Sequence, residues 1–185
     1  MSCLALLLGL AACGTAQPPE PQTKTLLCTA SAWYTEEGPE DSIGSQLDPD
    51  GIHVGLTYDG KRIFAFLRPS LEGLEANEVQ NARLWLKIKE SNGVPALQAG
   101  LITGPWDEGT TLKQARALVK ELRPAGGPRD EEGGWFSIDV TECVIAWLDG
   151  APNDGLALFE AAPSTETVFA SCSSDNCSKL VITTI

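Results

Sequence analysis

Little in this 185-residue chain can run acid–base chemistry near neutral pH or cross a bilayer. It holds one histidine, His53, and one methionine. No apolar run approaches the roughly 20 residues that a helix needs to span a hydrocarbon core. A Ser or Cys nucleophile needs a base within hydrogen-bond reach, and His53 lies in a strand-like run with no recognisable partner. A glycosidase needs only two carboxylates, and 25 acidic side chains leave that chemistry open by number alone. Basic side chains are scarce, 13 in all, for a formal charge of −12. With no concentrated basic face, such a chain repels phosphate backbones, so no nucleic-acid partner is expected. The acidic clusters Glu36-Glu37, Asp48 with Asp50, and Asp130-Glu131-Glu132 read as solvated loops. Their alternative is calcium, which takes several oxygen ligands. A structural calcium is the one cofactor left open, and no other is expected.

What is present begins with a short apolar run, Leu4 to Ala12, that stops at Cys13 and turns at once into Gly, Thr, Gln and Pro. A run of this length ending in small residues is the signature of an export signal. Leu10-Ala11-Ala12-Cys13 resembles the lipobox of bacterial lipoproteins. That resemblance implies a diacylglyceryl group on the Cys13 sulfur and cleavage before it. No basic residue precedes the run, where a signal normally carries Lys or Arg, so a start upstream of Met1 stays open. Residues 1–12 are thus expected to be a lipoprotein signal peptide. Residues 13–25, with Pro18, Pro19 and Pro21, are expected to be a lipidated flexible tether, and 26–185 one folded domain. The expected location is extracytoplasmic, cell-surface or secreted, with membrane contact through acyl chains only.

Apart from Cys3 and Cys13, four cysteines remain: Cys28, Cys143, Cys172 and Cys177. An even number in an exported chain reads as disulfides, with three pairings open. Ser173-Ser174-Asp175-Asn176 has hairpin-turn chemistry between two strand-like runs, which would set Cys172 opposite Cys177. That pair is expected, leaving Cys28 with Cys143. Zinc is not expected, because the only His lies in an unrelated run.

The hydrophobic pattern is mostly period two. In "ARLWLKIKE", Leu84, Leu86 and Ile88 share one face, while Arg83, Trp85, Lys87 and Lys89 share the other. Further strands are expected over 26–34, 51–56, 62–67, 96–103, 135–140, 155–160, 168–172 and 179–184. Many short strands separated by turn residues predict an all-β, jelly-roll-like antiparallel β-sandwich with one or two short surface helices. The helices are expected in "TTLKQARALVKELRP", with Leu112, Ala115, Val119 and Leu122 at helical spacing, and in "DVTECVIAWLDG", behind the cap candidate Thr141.

The ordered occurrence of "TASAWYTEEGPEDSIGS", "HVG", "FAFLRPSL", "NARLWLKI", "ITGPWDEGTT", "WFSIDVTECVIAWLDGAPNDGLAL" and "FASCSSDNCSKLVITT" resembles the DNRLRE domain. That domain is a jelly-roll-like sandwich overlapping with carbohydrate-binding module family 96. The resemblance covers the chain from about Ala30 to Thr184. It implies a non-catalytic, exported module, with polysaccharide binding known for some relatives. The chain departs from the pattern where Phe64 replaces a frequent basic residue, where Pro69-Ser70 replaces an aromatic and acidic pair, and where Cys172 replaces an arginine. The stretch 111–122 also differs from the usual Trp-bearing segment.

A sugar site needs an exposed aromatic face for the apolar side of a pyranose, with polar groups around it. Period two puts Trp85 on the polar face between Arg83 and Lys87, a ring beside cations of the kind that suits uronates. Its alternative is ordinary core beneath a loop. Trp33 and Tyr34 fall on opposite faces of one strand, so one is expected in the core and the other accessible. Trp106 is a loop residue that can cap the core instead, and Trp147 is core. The expected partner is a polysaccharide or cell-surface glycan. The alternative is a structural or adhesive surface domain with no glycan ligand, and behind both stands a glycan-active enzyme.

Overall fold

A computed structural model describes residues 20–35, 51–56, 58–91, 97–107, 109–124, 134–160, 166–171 and 177–185. The expected lipidation site Cys13, the acidic clusters at 36–50 and 130–132, and Cys172 lie outside these residues. Among the described residues ten strands form: β1 (Gln22–Thr35), β2 (Ile52–Leu56), β3 (Arg62–Pro69), β4 (Val79–Ser91), β5 (Leu97–Ile102), β6 (Val119–Pro124), β7 (Trp135–Asp139), β8 (Leu156–Glu160), β9 (Thr167–Phe169) and β10 (Lys179–Thr184). Two helices, α1 (Leu112–Leu118) and α2 (Thr141–Leu148), join a single 3-10 turn at Ala76–Glu78. All strand pairs are antiparallel, and the expected all-β sandwich with short helices is the fold.

The first sheet runs β1–β10–β4–β7 and the second β1–β3–β8–β5–β6. The strand β1 serves both. Its first half pairs β10 from Gln22↔Thr184 to Leu27↔Lys179, and after a register shift between Cys28 and Ala30 its second half pairs β3. Pairing thus begins at Gln22, so the fold takes in four residues assigned above to the tether. On the other side, β2 and β9 link β3 to the far end of β4. These pairings close a ring, β1–β10–β4–β9–β2–β3, which removes sheet edges that would otherwise be open to other chains.

Inside the ring, period two delivers Leu84 and Leu86 of β4, Leu180 and Ile182 of β10, Ile52 and Val54 of β2, and Leu67 of β3 to one apolar core. Trp147 of α2 belongs to it, as expected. The second sheet is covered on its other side as well. There Tyr34, Phe64, Phe66, Trp106, Leu112 and Ala115 form a second cluster beneath α1. Phe64 and α1 therefore meet in one layer. Gly155 enters β8 with φ +96°, and a Cβ there would lie 2.3 Å from the carbonyl oxygen of Leu67, so only glycine fits.

Two local expectations fail. The helix expected to run toward Leu122 stops at Leu118, where Val119 turns extended (φ −85°, ψ 126°) and pairs with Ile102 of β5. Its start obeys local chemistry: Thr111 and Gln114 form a reciprocal capping box. Its end is set by β-branched Val119 joining an available edge, which local periodicity cannot reveal. The second expectation is that the strands on either side of residues 173–176 pair as a hairpin; the turn itself lies outside the described residues. Both β9 and β10 run antiparallel to β4, hence in the same direction as each other. The chain leaves β4 at Ala170, whose N–H donates to Lys87 O, and rejoins it at Lys179 beside Trp85. Ser178 Oγ donates to Ala170 O at 3.5 Å, and residues 172–176 lie outside the described residues.

Candidate functional site

The outward face of the first sheet is built by the alternation of four strands. Ala82, Leu84 and Leu86 of β4 point inward and are fully buried, so Arg83, Trp85 and Lys87 point outward and are half-buried. The same parity turns Lys179 and Val181 of β10, and Trp135 of β7, to this face, each half-buried. Register then sets the neighbours: Lys179 and Ser137 flank Trp85, Val181 and Asp139 flank Arg83, and Trp135 stands beside Lys87. Leu27 of β1, 56% exposed, extends the face beyond Lys179.

The three outward cations do not play equal parts. Arg83 donates from Nη2 and Nε to Ser137 Oγ at 2.9 and 3.2 Å, bracing β4 against β7. Both lysines instead reach one ring: Lys87 Nζ lies 5.6 Å and Lys179 Nζ 4.4 Å from the centroid of Trp135. Each distance is within the range where a cation is attracted to an indole face. To reach that ring, Lys179 passes across β4 alongside Trp85. The indole N–H of Trp85 is buried and meets no hydrogen-bond partner. Trp85 is therefore neither a bare platform nor ordinary core.

At the end of this face, Asp139 closes the approach to α2. Its Oδ1 accepts from Thr141 N at 3.0 Å and from Thr141 Oγ1 at 2.8 Å, holding the first residue of the helix; the N-cap position is Val140, not the expected Thr141, and carries no side-chain cap. Thr141 Oγ1 in turn accepts from Ala82 N at 2.9 Å, fastening α2 to β4. The backbone hydrogen bond from Thr141 holds the Asp139 carboxyl below its ordinary pKa, helped by the Thr141 hydroxyl and by Arg83 and opposed by partial burial.

The five residues picked out as ligand contacts separate into two places. Arg83, Trp85 and Lys87 stand together. Tyr34 is a correction: it is 1% exposed within the second cluster, and its hydroxyl is buried. Burial and, less strongly, Asp107 push its pKa up to about 12. Trp33, on the opposite side of β1, is half-buried against the main core and contacts His53, ring centroids 4.8 Å apart. Neither residue joins the outward face of the first sheet. His53 itself contacts the carboxylate of Glu166, a pairing the sequence did not reveal.

Trp135 and Lys179 were missed. Each has the right parity in its own strand, but only the register of β7 and β10 on β4 brings them to Lys87 and Trp85. Of the cysteines, Cys28 is in the main core, Cys143 packs against it from α2, and Cys177 is buried.

A concavity of about 640 Å³ opens between β5 and α2, lined by Leu101, Ile138 and Ala146 and by the polar Asn81, Asp139 and Glu142. Among the described residues no basic side chain lines it, so its polarity is opposite to that of the tryptophan face. No group of three or more His, Cys, Asp or Glu side chains among the described residues is placed to hold a metal ion. Among the described residues, no helix is long and apolar enough to cross a membrane. Comparison of the chain with models of known protein families finds no match, and comparison with curated protein sequences finds none either.

Proposed function

We propose that this chain is a non-catalytic, exported module, anchored by lipid at Cys13, that binds acidic polysaccharide on the outward face of its first sheet. The observation that supports this reading is the grouping of two indoles, Trp85 and Trp135, with Lys87 and Lys179 on a chain of net charge −12. Rings supply stacking surface for the C–H face of a pyranose, and ammonium groups supply attraction for an acidic substituent. Net repulsion at long range does not cancel this, because at physiological ionic strength screening acts within about 8 Å. The order of sequence segments that resembles the DNRLRE domain favours the same reading.

A structural or adhesive role is the second reading, favoured by the half-burial of both indoles and the buried N–H of Trp85. Residues 20–185 on a broad glycan array separate the two. Binding of acidic glycans, lost in Trp85→Ala and Trp135→Ala, is the expected result. A folded protein that binds nothing on the array gives the adhesive reading. The anchor is tested separately by labelling with an alkynyl fatty acid. Cys13→Ala is expected to abolish incorporation, and equal labelling of the variant removes the anchor from the proposal.

A further inference from the structure

The inward face of β5 is only partly covered. Alternation turns Leu97, Ala99 and Leu101 toward the main core, yet Leu97 alone is sealed, while Ale positions 99 and 101 stay half-buried. The cause is a mismatch between the sheets. Among the described residues the first sheet stops at β7, which pairs only with β4, whereas the second continues through β5 to β6. The concavity of about 640 Å³ lies at that step, lined also by Ile138 of β7 and Ala146 of α2. Its size is typical of sites that enclose small ligands, and its apolar lining is aliphatic, with no aromatic ring. Its polar lining is rich in acceptors. Asp139 gives Oδ1 to Thr141, and among the described residues no hydrogen bond or ion pair engages Oδ2, on which Arg83 acts only through space. Gln80 and Asn81 add amide oxygens. Glu142 lines the cavity too but has an interaction partner of its own, so the charge on offer is that of Asp139. An anion is repelled by such a lining, and a neutral sugar finds no ring to stack on. An alkylammonium ion matches both parts: its chain covers aliphatic surface, and its three N–H groups find carboxylate and amide oxygens.

We infer that this cavity is a binding site for a small aliphatic amine in its ammonium form, with the carbon chain against Ala99, Leu101, Ile138 and Ala146 and the nitrogen at Asp139. The site is separate from the tryptophan face and does not depend on the polysaccharide reading. Asp139 then has two tasks, holding the start of α2 through Oδ1 and receiving the amine through Oδ2.

The test is titration of the full chain with hexylammonium, methylammonium, 1-hexanol and hexanoate, followed by the amide signals in proton–nitrogen correlation spectra. Hexylammonium is expected to move the signals of residues 99–101 and 142–146 with a dissociation constant of about a millimolar. 1-Hexanol, without the charge, and methylammonium, without the chain, should each bind about tenfold more weakly, and hexanoate should not bind. Asp139→Asn is expected to weaken hexylammonium about tenfold. Ala146→Leu, which fills the cavity from an exposed position on α2, should abolish binding with an unchanged melting temperature. Equal binding of 1-hexanol overturns the inference, because the carboxylate then selects nothing. Equal binding of methylammonium overturns it too, because the aliphatic lining then plays no part. Shifts spread over other acidic surface, shifts that persist in both folded variants, or no shift with any ligand likewise overturn it. If a variant fails to fold, the comparison of the four ligands on the parent chain decides alone.

Discussion

Tyr34 stacks on Phe64 with ring centroids 5.2 Å apart, and its hydroxyl, buried beneath the second layer, meets no hydrogen-bond partner. A buried hydroxyl without a partner costs about 1–3 kcal/mol by mutational measures, so Tyr34→Phe should leave the fold equally or more stable. The sign with pH follows from the raised pKa. In the folded protein Tyr34 holds its proton up to about 12, against an ordinary 10.0. The stability this gives is complete below pH 10 and is lost as pH rises through the folded value. Denaturant melts between pH 9 and 12 should show a steeper alkaline decline for the parent than for Tyr34→Phe, and identical declines would refute the assignment.

Asp139 behaves in the opposite sense. Its pKa is lowered in the fold, so its contribution is present above the ordinary carboxylate range and is lost as pH falls through the folded value. Asp139→Ala, removing the hydrogen bonds to Thr141 at the start of α2, should cost about 1 kcal/mol at neutral pH. That difference should shrink toward pH 2. Thermal melts of both proteins across that range measure it.

Trp85→Ala is expected to cost ~2 kcal/mol, about half the loss that follows truncation of a fully buried Trp, because the ring is half-buried and its N–H covered. Binding measured on this variant must therefore be normalised to the folded fraction. Trp135→Ala should lose glycan binding with a smaller drop in melting temperature, and an equal drop would mark Trp135 as an element of packing.

For the cysteines, proteolysis without reductant should release one short linked peptide holding Cys172 and Cys177 and a second joining Cys28 to Cys143. The first linkage no longer rests on a hairpin. It rests on the short spacing of the two cysteines and on Ser178, next to Cys177, bonding Ala170, two residues before Cys172. Loss of either bridge should cost roughly 2–5 kcal/mol. Thiols titratable at all four positions in exported protein would contradict both.

The strands were legible because each carries its own alternation: the inward Leu84 and Leu86 and the outward Arg83, Trp85 and Lys87 can be read from nine consecutive letters. Partners were not legible. Turn residues at 173–176 say that the chain bends, but not that β9 and β10 both lie along β4. Val119 and Leu122 fit a helix as well as a strand until β5 offers an edge to pair with. The candidate site shared this limit. One strand carried Arg83, Trp85 and Lys87 together, whereas Trp135 and Lys179 lie 50 or more positions from Trp85 and converge only through register. Tyr34 and Trp33 occupied opposite faces as expected. Which face would be sealed depended on α1 and Trp106 arriving from 70 or more residues away.

The continuity of β1 across both sheets also governs how the domain carries load. Tension applied at Gln22 along the strand axis pulls on the pairs with β10 and, through the same strand, on those with β3. These hydrogen bonds lie across the direction of pull and are strained together, in shear, instead of parting one after another. A domain held by its N-terminal end while its outer face grips a polymer would thus resist extraction by sharing force over the whole length of its first strand.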